Sequence, residues 1–260
     1  LDFETKILVK ENAPALLEQE LASKKWKPQV IAFSGVTDCY QPIERQRKLT
    51  RACLETALRF RNPVAIVTKN HLVTRDADVL AELSQWRCAA VYLSLTTLDN
   101  KLSRQLEPRA SLPEKRLAAI RTLSEAGLPV GVLTAPVIPG LTDHEIPRLL
   151  QEAARAGARF AGYMVLRLPY GVKDLFADWL ETHYPTKAGK VLNRIRELRG
   201  GKLNDSGFSS RMKGEGVFAR QIRDVFNLAR KKAGIPEGGP DLTTGHFHNP
   251  HDRQQKLFSE

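Results

Sequence analysis

Residues 89–99 read AAVYLSLTTLD, an unbroken apolar run that ends in hydroxyls and a carboxylate. Strands buried on both faces read in this continuous way, whereas a strand with one wet face alternates. Four further stretches follow the same pattern: 30–38 (VIAFSGVTD), 64–70 (VAIVTKN), 130–140 (VGVLTAPVIPG) and 160–169 (FAGYMVLRLP). Helix-like segments lie between them, and helical crossovers make a sheet parallel. The expected fold class is therefore α/β. Ligands of such sheets sit at the carboxyl ends of the strands. Thr37, Asp38, Lys69, Ser94, Thr96 and Thr97 mark that face before any chemistry is known.

Working outward, residues 6–10 read as a short strand and 13–23 as a helix with Asn12 as its cap. A single long helix is expected over 43–61, and another over 76–86 opened by Asp76 and Asp78. Residues 112–127 (LPEKRLAAIRTLSEAG) carry Pro113 in the first turn and Gly127 at the end, and 143–157 repeats the arrangement. Beyond Pro169 the alternation stops. Helices are expected over 172–184, 187–198 and 216–233, with an irregular loop over 200–214. The tail from Gly234, rich in Gly, Pro, His and Asp, is expected to be poorly ordered. The pattern divides the chain into an α/β body at 1–170, a basic helical extension at 171–235 and a flexible tail at 236–260.

The formal charge of the 260 residues is +11, and it is uneven. Residues 173–235 hold 14 Lys/Arg against 7 Asp/Glu, a net of +7. Such a surface can neutralise phosphates, and it can equally be a set of solvated helix faces. Phe208, Phe218 and Phe226 nearby have helical spacing that suits a core better than a stacking platform. No apolar run approaches the roughly 20 residues needed to span a bilayer, so a soluble, cytoplasmic protein with no membrane partner is expected. The three cysteines, Cys39, Cys53 and Cys88, are too irregularly spaced for a disulfide framework. The chain opens on Leu1 and runs straight into a strand-like segment, as a piece of a longer polypeptide would.

Several strand ends could carry chemistry. Ser34-Gly35-Val36-Thr37-Asp38 puts a small residue, a hydroxyl and a carboxylate where the chain leaves the sheet. Ser94 and Thr96 share a face by the two-residue period. Arg109 in Glu107-Pro108-Arg109 could grip a carboxylate, or simply pair with Glu107 or Glu114. Ala135-Pro136-Val137-Ile138-Pro139-Gly140 suits a wall against a flat ring. No G-x-S-x-G elbow, phosphate loop or G-x-G-x-x-G fingerprint is present. His246, His248 and His251 are metal-capable by type, but they lie in a polar tail without a rigid shell.

Taken together, 1–10 (LDFETKILVK), 37–44 (TDCYQPIE), 66–69 (IVTK), 94–99 (SLTTLD), 106–110 (LEPRA), 116–127, 135–140, 165–169 and 211–226 resemble the radical S-adenosylmethionine (SAM) proteins related to spore photoproduct lyase, the DNA repair photolyase-like family. The resemblance implies an incomplete (β/α)6, TIM-like barrel, a [4Fe–4S] cluster and SAM. It further implies reductive cleavage of SAM to a 5′-deoxyadenosyl radical that abstracts hydrogen, with an external electron donor and nucleic acid among the partners. By position it assigns Thr37 and Asp38 to the methionine amino group, Ser94 and Thr96 to the ribose, and Arg109 to the SAM carboxylate. Val137 to Gly140 would wall the adenine, and Lys69 would project near cofactor or substrate.

The family's C-x-x-x-C-x-x-C loop is absent from these residues, and Cys39, Cys53 and Cys88 do not reproduce its spacing. The resemblance places that loop and the first barrel strand just upstream of Leu1. The expectation is therefore a partial barrel lacking its first strand and metal ligands, inactive by itself. A basic module that binds nucleic acid or a partner chain, and a non-functional truncated reading frame, are the competing expectations.

Overall fold

The computed structural model describes residues 6–34, 37–204 and 212–252. In chain order the elements are α1 (Ala13–Ala22), β1 (Ile31–Phe33), α2 (Glu44–Arg47), α3 (Leu49–Phe60), β2 (Val64–Thr68), α4 (Ala77–Gln85), β3 (Ala89–Ser94), α5 (Asn100–Leu106), α6 (Pro113–Glu125), β4 (Val130–Val137), α7 (Ile146–Arg155), β5 (Phe160–Val165), α8 (Val172–His183), α9 (Pro185–Leu198) and α10 (Gly216–Lys232). The strands form a five-stranded sheet in the order β1-β2-β3-β4-β5. β1 runs parallel to β2, and β4 to β5. A parallel sheet in sequence order with helical crossovers is a partial (β/α) barrel, as the continuous apolar runs imply.

Contacts group the chain into two compact units. Unit 1 holds residues 1–91, 126–129 and 240–260, and unit 2 holds 92–125 and 130–239. In unit 1, Leu54, Ala57 and Phe60 of α3 and Val64 and Ile66 of β2 are fully buried. Each large apolar side chain so buried contributes about 1.5–3 kcal/mol. Part of the tail packs here too. The Phe247 ring stacks on Phe60 at 6.2 Å, and the amides of Thr243 and His248 donate to the carbonyls of Arg87 and Phe60 at 3.0 and 3.1 Å.

In unit 2, α6 buries Ala119, Ile120 and Leu123, and α7 buries Leu149, Leu150 and Ala153. A second apolar cluster joins Ile138, Leu141, Leu166 and Leu168 to Phe176 and Leu180 of α8 and to Val191 and Ile195 of α9. Gly131 and Gly162 lie where β4 and β5 press together. A methyl on Gly131 would collide with the Phe160 ring and carbonyl, and one on Gly162 would lie 3.1 Å from Leu133.

Four details depart from the sequence reading. The run 30–38 yields a strand of only three residues, with Ala32 exposed, because β1 is the edge of the sheet and has one neighbour. Residues 6–10 form no strand, and Leu8 is 99% exposed; without a paired neighbour the apolar alternation has nothing to fold against. The helix expected over 43–61 breaks at Lys48, whose φ is 53°. There Glu44 accepts from the Thr50 amide at 2.9 Å, capping a new helix start, while Arg75 holds its other oxygen at 3.2 Å. Finally, Asn12 makes no side-chain cap to α1, whereas Asp99 caps a helix the pattern did not show, α5, by accepting from the amides of Lys101 and Leu102.

Candidate functional site

In unit 1 the strand-end chemistry gathers on Asp38. Its Oδ1 accepts from the Thr68 hydroxyl at 2.7 Å and the Tyr40 amide at 2.9 Å, and its Oδ2 from the Lys69 amide at 2.7 Å. The carboxylate thus fastens the turn after β1 to the end of β2. Thr37 is exposed, with its hydroxyl accepting from Gln41 at 2.5 Å. Lys69 is half-buried at the carboxyl end of β2. Gly35, expected to admit a ligand to the backbone, lies outside the described residues, as do Leu1 to Thr5, Phe208 and Arg211. Behind the turn, the buried Tyr40 hydroxyl donates to Asp76 at 3.1 Å. Burial, and then the Asp76 charge, push that phenol far above its usual range. Tyr40 is a neutral anchor.

In unit 2, the end of β3 carries the second group. The Ser94 hydroxyl donates to the Ala135 carbonyl at 2.8 Å; the Thr96 hydroxyl lies 2.9 Å from the same carbonyl and 2.8 Å from Glu107 Oε1. Both residues are 3% exposed. Each hydroxyl keeps lone pairs, so either can still accept from a ligand. Beneath them Arg116, 1% exposed, donates to the carbonyls of Ser111 and Ser94 at 2.6 and 2.9 Å and to Glu107 Oε2 at 2.5 Å. The neighbouring Thr97 hydroxyl and Leu98 amide donate to Glu145 at 2.6 and 2.8 Å. The strand end is rigid because buried charges hold its loops.

The remaining expected residues scatter. Arg109 is exposed on the loop before α6, and the arginine that pairs with Glu107 inside the protein is Arg116. Val137 is 2% exposed and belongs to the core. Gly140, with φ +84°, donates its amide to Asp143 at 3.0 Å and faces Arg194 of α9.

One feature was not anticipated. Arg167, just past the carboxyl end of β5, has a buried Nε with no hydrogen-bond partner among the described residues. Leu166 and Leu168 on either side of it both enter the cluster under α8 and α9. Arg167 itself is half-buried and not part of that cluster. A desolvated donor on a permanent cation costs about 1–3 kcal/mol or more when left unmade. An anion would relieve that cost.

The thiols are poor cluster ligands, since a ligating thiol must be deprotonated. Burial pushes Cys53, in α3, up to about 11. It raises Cys88 as well, and Cys39 further, the latter with the nearby Asp38 charge. Among the described residues no group of three His, Cys, Asp or Glu is placed to hold a metal. The histidines take separate partners: His246 the Trp86 ring, His251 the Glu18 carboxylate at 3.2 Å. This donor set does not fit an iron–sulfur cluster. The hydroxyls of Ser94 and Thr96 and the buried Nε of Arg167, unpartnered among the described residues, are groups that suit a polar, carboxylate-bearing molecule such as SAM.

Residues 5–153 match the model of the radical SAM superfamily. The chain belongs to that superfamily. Among curated relatives of this radical SAM chain, the uncharacterized protein Rv2578c of Mycobacterium tuberculosis is 34% identical over 199 residues, 76% of this chain and 57% of that protein. The uncharacterized protein MJ0683 of Methanocaldococcus jannaschii is 35% identical over 226 residues, 87% of this chain and 74% of that protein. The chain thus spans little more than half the length of the mycobacterial relatives. Among solved structures, spore photoproduct lyase complexed with dinucleoside spore photoproduct superposes with a TM-score of 0.62 at 18% identity, over 87% of this chain and 65% of that one. A mutant of that lyase with bound AdoMet and dinucleoside spore photoproduct gives 0.57 at 17% identity, with the same coverage. The partial barrel is therefore a radical SAM fold related to that of spore photoproduct lyase, and the superfamily's cofactors are SAM and a [4Fe–4S] cluster.

Arg116, Glu145 and Arg167 were the residues that sequence reasoning passed over, and Glu107 entered it only as a partner for Arg109. Arg116 had a signal: it occupies a core position of the 3.6-residue pattern, in line with Ala119, Ile120 and Leu123. Arg167 had one as well, a lone cation between two leucines in a strand run.

Among the described residues no helix is long and apolar enough to cross a membrane.

Proposed function

We propose that this chain supplies the SAM-binding face of a radical SAM enzyme whose cluster is ligated by a segment outside these 260 residues. The observation that carries the reading is the contrast within the chain. A hydroxyl-bearing strand end and an anion-seeking Arg167 occupy the carboxyl ends of β3 and β5, while all three thiols are driven toward their protonated forms. Ser94 and Thr96 would accept from the ribose, and Arg167 or Arg109 would hold the carboxylate. The chemistry such a cluster supplies is the electron for reductive SAM cleavage to a 5′-deoxyadenosyl radical. This chain's own part is to bind, orient and exclude water.

Anaerobic iron–sulfide reconstitution tests the division of labour. The chain alone should take up no stoichiometric cluster, and the chain extended at its N-terminus by a C-x-x-x-C-x-x-C segment should take up four irons. Four irons on the unextended chain would overturn the proposal.

We also propose that the basic helices after β5 engage nucleic acid in the complete enzyme. The charge of residues 173–235 supports this, as do the related lyase structures that hold a dinucleoside spore photoproduct. Binding to DNA that weakens steeply with salt is the expected result, and salt-independent binding would contradict it.

A further inference from the structure

Two clefts of about 400 and 420 Å³ open in unit 2 on either side of His144, one lined by Arg148 and Lys187, the other by Lys190 and Arg194. Lys187, Lys190 and Arg194 lie on α9 at spacings of three and four residues, so they form one stripe along the helix. At 1.5 Å per residue the stripe is about 10 Å long, enough to meet two to three consecutive phosphates of a strand.

The carboxylates lining the clefts are already engaged. Asp99 caps α5, Glu145 accepts from Thr97 and Leu98, and Asp143 accepts from the Gly140 amide with Arg194 at 3.4 Å. Arg194 is also fixed over the Phe218 ring at 5.2 Å. By contrast, Arg148, Lys187 and Lys190 are exposed. None of the side-chain hydrogen bonds, ion pairs or ring contacts among the described residues involves them. Ordered acids and unpartnered cations in one groove give it a positive rim with a fixed floor.

We infer that this paired cleft between α7 and α9 is a seat for the phosphodiester backbone of nucleic acid. Arg148, Lys187 and Lys190 make the phosphate contacts, and Arg194 frames the groove. The inference rests on the nucleic-acid reading above and assigns it to one surface. It makes no use of SAM or of the strand ends.

The test uses the full chain and a fluorescein-labelled 12-base-pair DNA duplex, titrated by anisotropy from 50 to 200 mM salt. Arg148→Gln/Lys187→Gln/Lys190→Gln should make the slope of log K against log salt shallower by about 2.7, three contacts at about 0.9 each. At 50 mM salt binding should weaken by at least about tenfold. Lys24→Gln/Lys25→Gln/Lys27→Gln removes the same charge from exposed positions of unit 1 and should leave the slope within about 0.5 of wild type. Equal effects of the two triple variants, or an unchanged slope in the first, would overturn the assignment while leaving nucleic-acid binding standing. Wild-type chain that fails to bind the duplex at 50 mM salt would overturn both. Far-ultraviolet circular dichroism and thermal melts of wild type and the first triple variant, expected to coincide, separate either failure from misfolding.

Discussion

Replacing Arg116 by Met should cost unit 2 more than any other single change at the end of β3. The side chain is 1% exposed and holds Glu107, whose side chain is 9% exposed, at 2.5 Å. Removing it takes the guanidinium from a nearly buried carboxylate, which costs about 3–5 kcal/mol. It also strips donors from the carbonyls of Ser94 and Ser111, each worth about 1 kcal/mol net. Partial rehydration returns some of this, so a loss of about 4 kcal/mol is expected. With a urea m-value of about 2–3 kcal/mol/M, the midpoint falls by roughly 1.3–2 M. The probe is Trp179 fluorescence in a Trp26→Phe/Trp86→Phe background, because Trp179 lies in the same unit as Arg116. The double variant Arg116→Met/Glu107→Met removes both charges and should cost at least about 2 kcal/mol less than the sum of the singles. A loss below about 1 kcal/mol for Arg116→Met, or strict additivity in the double variant, would refute the reasoning.

Gly131→Ala forces a methyl into the Phe160 ring and carbonyl, and should lower stability by about 2–3 kcal/mol in the same assay. The Asp78 carboxylate is pulled from 3.8 to about 2, mainly by its hydrogen bonds from Arg51. A lowered carboxyl stabilises above its unfolded value and loses that contribution as pH falls, so Asp78→Asn should cost under about 1 kcal/mol at pH 7. Thermal melts should show that difference shrinking from about pH 5 to pH 3. With Cys53 at about 11 and the other two thiols raised, native alkylation by iodoacetamide should keep accelerating about tenfold per pH unit past pH 9. A plateau below pH 9 would show a thiol of ordinary or lowered pKa.

Four of the five strand ends could be placed from the sequence because a buried parallel strand leaves an apolar run that nothing else in the chain imitates. β1 was overstated because an edge strand is half-solvated, and apolar composition does not reveal how many neighbours a strand has. The break at Lys48 was hidden for a different reason. It depends on Glu44 and Arg75, 31 residues apart, meeting in space to cap α3. The site residues divide along the same line. Residue type and strand position were enough to pick out Asp38, Ser94 and Thr96, but not to show that the Asp38 carboxylate is occupied by Thr68, Tyr40 and Lys69. Arg109 attracted attention as the loop arginine, whereas the buried pairing with Glu107 is made by Arg116, one helix turn into α6. The packed stretch around Phe247 was obscured by composition: Gly, Pro and His signal a loose tail, and the ring stacked on Phe60 together with the amide bonds of Thr243 and His248 outweighs them.

Equilibrium dialysis of labelled SAM against the purified, cluster-free chain tests the central claim most directly. The account predicts saturable binding approaching one molecule per chain, weakened about tenfold or more by Arg167→Gln and by Thr96→Val, with circular dichroism unchanged. No saturable binding to the folded wild-type chain at millimolar SAM would contradict it.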